Sequence, residues 1–458
     1  MALAASLALG HFLLGLPIQV SDSFGHMLQL TKSWQSLIVE RFSQEGFLRP
    51  AMWIEMKIVY ELADGDYTRW FRATHVVQVV TLTALFIALI RPRTWRDLAC
   101  VPFALAVLFG MHTFVGTVAE AFPINTYMTM LLLCVAAAVV ALRPHAWWSD
   151  AAAVTLFVIA ALTVETGLLV WVIVTAAALL GARGVSRSGV VVVTALLAAY
   201  FLARFVVFDV GLPGLVERSS GFGFRVLDPP ELMARFGNNP LPFYAYNVMA
   251  SMFSVLFSEP TGGVFGLTRR LASGSVPPFM VVNVTASIGV AVLLTAFAAA
   301  RWRQWVARRF EDDDRLVLLF VVVLAANAVI GYPYTKDVIM SPAGVFLAAA
   351  TFGAARWLLA ERSPVSMHRV RAIAVVAAVV IVSSAWSFRV IGLHARLRQA
   401  AVVERLDWAY IDSDIAAGRV HAEDEVSRTL LNTLKEDALV NRPAPPPLRL
   451  PFQPLLGE

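Results

Sequence analysis

Apolar residues occur in long, almost unbroken runs along most of the chain, divided by short charged stretches. A helix that crosses a bilayer needs about 20 such residues, fewer where it is tilted or partly re-entrant. Runs of this kind fall at 2–19, 73–90, 98–118, 128–142, 151–163, 167–181, 189–208, 280–300, 316–331, 341–359 and 372–391. Only Thr163, Val164, Glu165 and Thr166 separate the fifth from the sixth, which predicts two short helices joined by a hinge. The pattern predicts an all-α polytopic membrane protein with about 11 transmembrane helices.

The stretches between the runs are not all short turns. Within 20–72, Met27, Leu28, Leu30, Trp34, Leu37 and Ile38 fall near helical spacing, with Lys32, Gln35, Glu40 and Arg41 among them. A second amphipathic run, Met52 to Leu62, follows Pro50. Two such helices between membrane spans are predicted to lie in the headgroup plane with their apolar sides down. The loop 209–279 is rich in Gly, Pro and aromatic residues, and its Phe222, Phe224, Phe243, Tyr244 and Tyr246 would stack on a sugar or anchor the loop at the interface. The division expected is a transmembrane domain over 1–393, carrying the external loops 20–72 and 209–279, and an extracytoplasmic tail over 394–458. The tail ends in the Pro-rich RPAPPPLRLPFQP, a composition that favours irregular or polyproline structure.

Composition agrees. The 458 residues are 58% hydrophobic and 15% charged, against about 25% charged in a soluble domain. The net charge of +5 comes from arginines in loops and gives no reason to expect nucleic acid. Charge asymmetry sets the orientation. Arg91, Arg93, Arg96, Arg143, Arg183, Arg187, Arg301, Arg303, Arg308, Arg309, Arg315, Arg362, Arg369 and Arg371 share one side, while the turns 119–127, 164–166 and 332–340 hold only Lys336. The N-terminus is therefore expected in the cytoplasm and the tail outside an inner (plasma) membrane. The first segment has no basic residue and is read as a retained span, not a secretory signal. Cys100 and Cys134 lie in apolar runs with no metal or redox spacing.

Ionisable groups inside membrane segments are costly, so each is a candidate functional residue. Here they collect towards the expected outer face: Asp22 after the first run, His26 one turn on, His112 and Glu120, Glu165 in the hinge, Arg204, and the pair Lys336 and Asp337. Simpler roles exist for each. Asp22 stands where a helix N-cap would, His26 reads as a surface histidine, and Glu165 is placed to cap the following helix. Arg204 is within snorkelling reach of the headgroups, and Lys336 with Asp337 reads as a turn pair. As a set they suit transfer of a sugar from a lipid phosphate. A carboxylate takes the acceptor proton as the anomeric carbon becomes oxocarbenium-like, and cations hold the departing phosphate.

The layout resembles the GT-C superfamily of polytopic glycosyltransferases. The residues that carry the resemblance are a short first span, DSF at Asp22 to Phe24, helices before the second span, LTVETGLLVWVIV around Glu165, and GYPYTKDVIMSPAGVFLAAA. The resemblance implies a polyprenyl-phosphate sugar donor and a glycolipid, polysaccharide or protein acceptor among membrane lipids. It implies inversion at the anomeric carbon and a first-loop acid, Asp22, as base or acceptor-positioning group. Arg204, Lys336, Asp337, Glu165, His112, Glu120 and His26 would then bind lipid phosphate or sugar. No cofactor or resident metal is expected. Two departures stand out: Ser23 follows Asp22 where many members have a second acid, and Val164 precedes Glu165 where a Lys is usual. A transporter or flippase of lipid-linked saccharides, or a non-catalytic scaffold subunit, are the other readings the sequence leaves open.

Overall fold

The computed structural model describes residues 2–43, 48–119, 126–208, 229–237, 239, 241–257, 263–335, 337–361, 369–418, 420, 422 and 424–442. Of residues 2–5, 21–23, 39–43, 115, 116, 119, 229, 263–266, 337, 361 and 369–376 only the backbone is described.

Most of these residues are helical, and none forms a strand. In chain order the helices are α1 (Ala2–Leu14), α2 (Ser21–Leu30), α3 (Trp34–Ser43), α4 (Pro50–Ala63), α5 (Tyr67–Ile90), α6 (Trp95–Gly110), α7 (His112–Ala119), α8 (Thr126–Leu142), α9 (Ser149–Ala161) and α10 (Leu169–Leu179). They continue with α11 (Arg187–Leu202), α12 (Pro229–Phe236), α13 (Leu241–Phe257), α14 (Gly263–Ala272), α15 (Pro278–Val306), α16 (Asp312–Ile330), α17 (Ser341–Glu361), α18 (Arg369–Ala416) and α19 (Glu425–Glu436). Among the described residues, five stretches are long and apolar enough to cross a membrane: Tyr67–Ile90, Arg187–Val207, Pro278–Val306, Val338–Ala360 and Ala377–Ala416. Other apolar helices are shorter: α8, α9, the stretch Glu165–Leu179 and α13 have 10–17 residues.

The centre of the bundle is α17. Its sequence SPAGVFLAAATFGAARWLLAE is mostly small residues, which let neighbouring backbones approach closely. The apolar part of the stretch Val338–Ala360, most of which is α17, is 94% buried, and the helix is packed by α16 and α6 on its two main sides and by α5, α8 and α15 around them. At the rim the balance reverses. Only 17% of the stretch Arg187–Val207 is buried. Val191, Phe201, Leu202, Val206 and Val207 point outward, an apolar surface suited to a hydrocarbon surrounding. Near the start of the chain α1 lies along α5, with Ser6 Oγ donating to Thr83 Oγ1 at 2.7 Å and Gly10 facing Val76.

The expected break between the fifth and sixth runs is present, since α9 stops at Ala161 and a 3₁₀ turn, Glu165–Leu168, leads into α10. The run 98–118 is also broken, because Met111 is extended (ψ 131°) between α6 and α7. The run 372–391 does not end there. Its helix, α18, has 48 residues and reaches about 72 Å, more than twice a hydrocarbon core. It passes without a break through position 393, the expected domain edge.

The far part of α18 has its own core. Trp408 and Ile411, with Leu430, Leu431 and Leu434 of α19, pack on Ile18, Phe24, Met27, Leu30, Met52, Trp53 and Met56. The apolar sides of α2 and α4 are thus spent on the tail, not turned down toward the membrane as expected. Burying them against another helix removes them from water on all sides. A narrower stripe of α4, Ile54, Ile58 and Leu62, spaced every fourth residue, stays exposed.

Candidate functional site

The hinge positions a cluster of charged side chains. Val164 is extended (φ −158°, ψ 154°), which turns the chain into Glu165–Leu168. A Cβ on Gly167 would stand 2.0 Å from the Ala160 carbonyl oxygen, so the backbones of α9 and the turn are in direct contact there. Ala51 N donates to Leu162 O at 3.0 Å and pins the start of α4 onto the same hinge. Arg49, which precedes Pro50 at the N-cap of α4, is thereby set over Glu165.

Glu165 uses both carboxylate oxygens. Oε2 accepts from Arg49 Nη2 at 2.5 Å, and Oε1 accepts from Arg204 Nη1 at 3.0 Å. Arg204 Nη1 also donates to Tyr200 Oη at 2.9 Å, and its guanidinium lies 5.6 Å from the Phe205 ring centre. Arg204 sits in a π-helical turn, Ala203–Val207, at the end of α11, a local shape frequent at functional sites. Glu165 thus takes charge-assisted hydrogen bonds from two guanidiniums. The Arg204 side chain is 5% exposed, but Arg49 and Glu165 are 26% and 24% exposed, so the cluster is open on the α4 side. Such a cluster can hold an anion in a forked, charge-assisted grip.

A second acid lies further along α4. Glu55 Oε1 accepts from Thr129 Oγ1 at 2.8 Å, in the first turn of α8, and from Gln78 Nε2 of α5 at 3.2 Å. Burial pushes its pKa up to about 6, with the hydrogen bonds from Thr129 and Gln78 acting in the other direction. A carboxyl in that range exchanges protons near neutral pH. In the same helix, Trp53 stacks on His26 of α2 at 5.0 Å with an interplanar angle of 15°. Lys57 Nζ donates to the Leu30 carbonyl at 2.7 Å, satisfying the end of α2.

The sequence-predicted residues therefore fall in several places. Glu165 and Arg204 meet directly, and Glu165 serves two arginines instead of capping α10. His26 is half-buried in a ring stack, not a free surface histidine. Asp22 lies in the first turn of α2, four residues before His26, and its side chain is outside the described residues. His112 begins α7 in a different cluster, with Nε2 3.0 Å from Ser254 Oγ of α13. Nearby, Asn247 Nδ2 donates to Tyr332 O at 3.0 Å and Tyr244 meets Tyr332 edge-on. Of the loop aromatics, Phe243 is buried against Phe236, while Phe222 and Phe224 lie outside the described residues. So do Glu120, Lys336 and the side chain of Asp337. Among the described residues, no three His, Cys, Asp or Glu side chains are grouped so as to hold a metal ion.

Arg49, Glu55 and Tyr200 were missed by the sequence reading. Arg49 carried a faint signal, a cation immediately before a helix-starting proline. Glu55 looked like one polar position of an amphipathic helix, and Tyr200 like a core aromatic. Their partners lie 116, 74 and 4 residues away respectively.

An open apolar groove of about 490 Å³ lies between α6, α15, α17 and α18, lined by Phe103, Gly289, Trp357, Val382 and Ser387 among others. It is on the α18 side of the bundle, whereas Arg204 is on α11, which packs against α9 and α10. The groove is therefore not part of the arginine cluster.

Together these features define a helical protein in which, among the described residues, five helices are fit to cross a membrane and a two-arginine carboxylate lies where α4, the hinge and the end of α11 meet. Compared with known proteins, the chain matches no family model, no curated protein and no solved structure.

Proposed function

We propose that the protein is a membrane glycosyltransferase of GT-C type that moves a sugar from a polyprenyl-phosphate donor to an acceptor at the extracytoplasmic face. The observation that carries this reading is the position of Arg204. It is buried and charged, yet its neighbours Leu202, Val206 and Val207 are 57%, 69% and 68% exposed on an apolar helix. A lipid lying along α11 would have its chain on apolar surface and its phosphate within reach of Arg204 and Arg49. Both parts of a lipid phosphate are thus accommodated within two turns of one helix.

In the reaction, the acceptor hydroxyl oxygen attacks the anomeric carbon and the bond from that carbon to the phosphate oxygen breaks. The electron pair leaves with the polyprenyl phosphate, whose growing charge the two guanidiniums stabilise. The acceptor proton passes to a first-loop carboxylate, assigned to Asp22. Glu55, on α4 of the same loop, is a further acid within that segment. The eleven-span arrangement, with the N-terminus cytoplasmic and α2–α4 and α19 outside, belongs to this proposal.

The test is a profile of surface glycans and glycolipids from cells carrying Asp22→Asn, Asp22→Ala or Arg49→Gln, with membrane levels of each variant checked. Normal insertion with loss of one sugar supports the transferase and its residues. Wild-type glycans from all three variants would remove the proposal and leave transport or scaffolding.

A further inference from the structure

The apolar groove between α6, α15, α17 and α18 has a buried polar group in its lining that the protein leaves unsatisfied. Trp357, one turn from the end of α17, lines the groove and is only 8% exposed. Its ring meets Phe297 of α15 edge-on, with centroids 5.5 Å apart. Among the described residues, no acceptor lies within hydrogen-bond reach of its Nε1. A buried indole N–H ordinarily has a partner, and leaving one without costs the desolvation of the group. Two neighbouring tryptophans obey the rule. Trp386 Nε1 donates to the Ala286 carbonyl at 3.1 Å, and Trp305 Nε1 donates to Asp314 at 2.8 Å. Trp357 has the groove beside it and no protein acceptor.

The rest of the lining limits what can supply one. The groove's volume of about 490 Å³ is that of a small-ligand site, and among the described residues no charged side chain lines it. On α15 the lining runs from Gly289 to Ala296, about 10 Å along the helix. Val292 and Val379, both in the lining, are 62% and 38% exposed. The groove therefore opens on the outer surface of helices long and apolar enough to cross a membrane. Hydrocarbon holds no water to satisfy the N–H. The acceptor must arrive on an apolar molecule.

Two exposed tryptophans give the depth of this end of the groove. Trp95 starts α6 and is 87% exposed, and Trp302, one turn from the end of α15, is 62% exposed. Exposed tryptophans gather where hydrocarbon gives way to headgroups. Trp357 belongs to the same end of the bundle. It shares the lining with Ala99 and Cys100 from the early turns of α6, and it contacts Phe297 near the end of α15. Gly289, by contrast, is 13 residues before Trp302 on α15, about 20 Å deeper.

We infer that the groove binds an ester-linked glycerolipid of the bilayer, with one acyl chain running from Trp357 toward Gly289 and the ester carbonyl oxygen accepting from Trp357 Nε1. The first polar atoms met on leaving such a chain are the ester oxygens, and they lie just below the headgroups, at the level of these tryptophans. The chain covers the apolar lining, and the carbonyl satisfies the one buried donor. The site is separate from the arginine cluster and does not rest on the proposed transferase activity.

The experiment uses the full-length protein in neutral detergent and titrates it by native mass spectrometry with two lipids. One is diacyl phosphatidylethanolamine, and the other its dialkyl ether counterpart, which has the same chains and headgroup but no ester carbonyl. Wild type is compared with Trp357→Phe, Ala296→Trp and Val191→Trp. Trp357→Phe keeps an aromatic ring without the N–H. Ala296→Trp fills the groove from an exposed position, so it does not disturb the core. Val191→Trp adds the same bulk to the exposed side of α11. Wild type should hold the diacyl lipid roughly fivefold more tightly than the ether lipid, and Trp357→Phe should hold the two alike. Ala296→Trp should lose the saturable adduct of both, with Val191→Trp like wild type. Equal affinity of wild type for the two lipids, or a preference that survives Trp357→Phe, overturns the inference. So does lipid binding unchanged in Ala296→Trp. A wild-type dimer that Ala296→Trp alone dissociates, with lipid adducts unaffected, also overturns it and gives the groove to a second copy of the chain.

Discussion

Glu404 and Arg72 form an ion pair at 3.6 Å with side chains only 5% and 1% exposed, tying α18 to the start of α5 across more than three hundred residues. The pair encloses the linker between α1 and α2. Arg72 Nε donates to Leu16 O at 2.9 Å and its Nη2 to Pro17 O. Trp408 Nε1 donates to Ile18 O at 2.6 Å, and Gln19 Nε2 donates to Glu404 at 3.2 Å. The first loop and the tail are one folded unit because their shared core has this polar seam along one edge.

Removing one charge of a buried pair leaves the other uncompensated. Glu404→Leu is expected to cost about 3 kcal/mol, the low end for such pairs because Arg72 keeps its carbonyl partners. Thermal unfolding in detergent measures the loss. The double variant Arg72→Met, Glu404→Leu should recover only part of the stability, since it removes both charges but leaves the Leu16 and Pro17 carbonyls without their donor.

Glu55 makes stability depend on pH. Its pKa is raised from 4.5 to about 6 in the folded chain. The folded state therefore holds the proton more tightly than the unfolded state does. The stability from that proton is complete below pH 4.5 and is lost as pH rises through about 6. The full difference is about 2 kcal/mol. Glu55→Gln should flatten the pH dependence of unfolding between those values while leaving the acid-side stability near wild type. An unchanged slope would place the titrating group elsewhere.

The hinge can be probed through its glycine. Gly167→Ala puts a Cβ 2.0 Å from a backbone oxygen that has no freedom to move, so α9 and α10 must separate. A loss of about 3 kcal/mol or more is expected, with failure to accumulate in the membrane as the extreme outcome. Gly25, in the middle of α2, meets nothing within 4 Å. Gly25→Ala should instead be neutral or gain up to about 1 kcal/mol. Comparable losses in both variants would show that the contact at Ala160 is not what matters.

The sequence was informative where one local signal decided the structure. The four residues around Glu165 interrupt an apolar run, and a helix break is found there. Pro50 starts a helix, and the apolar run 341–359 is helical. It was silent where a decision depended on distant partners. Nothing in residues 392–416 says that α18 continues, because that half is amphipathic and becomes a helix against Phe24, Met27 and Met56. The same applies to the site. Glu165 and Arg204 stood out as charges in apolar surroundings, but their common partner Arg49 lies in a polar loop where an arginine attracts no notice.

The proposed donor site is tested by equilibrium binding of a polyprenyl phosphate to purified wild type, Arg49→Gln and Glu165→Gln. Losing one guanidinium should weaken binding about tenfold or more. Glu165→Gln should strengthen it, because the carboxylate that now occupies both arginines no longer competes with the phosphate. Opposite shifts cannot arise from general misfolding, which would weaken both. Unchanged binding in both folded variants would contradict the arginine cluster as the phosphate site, and with it the proposed route of sugar transfer.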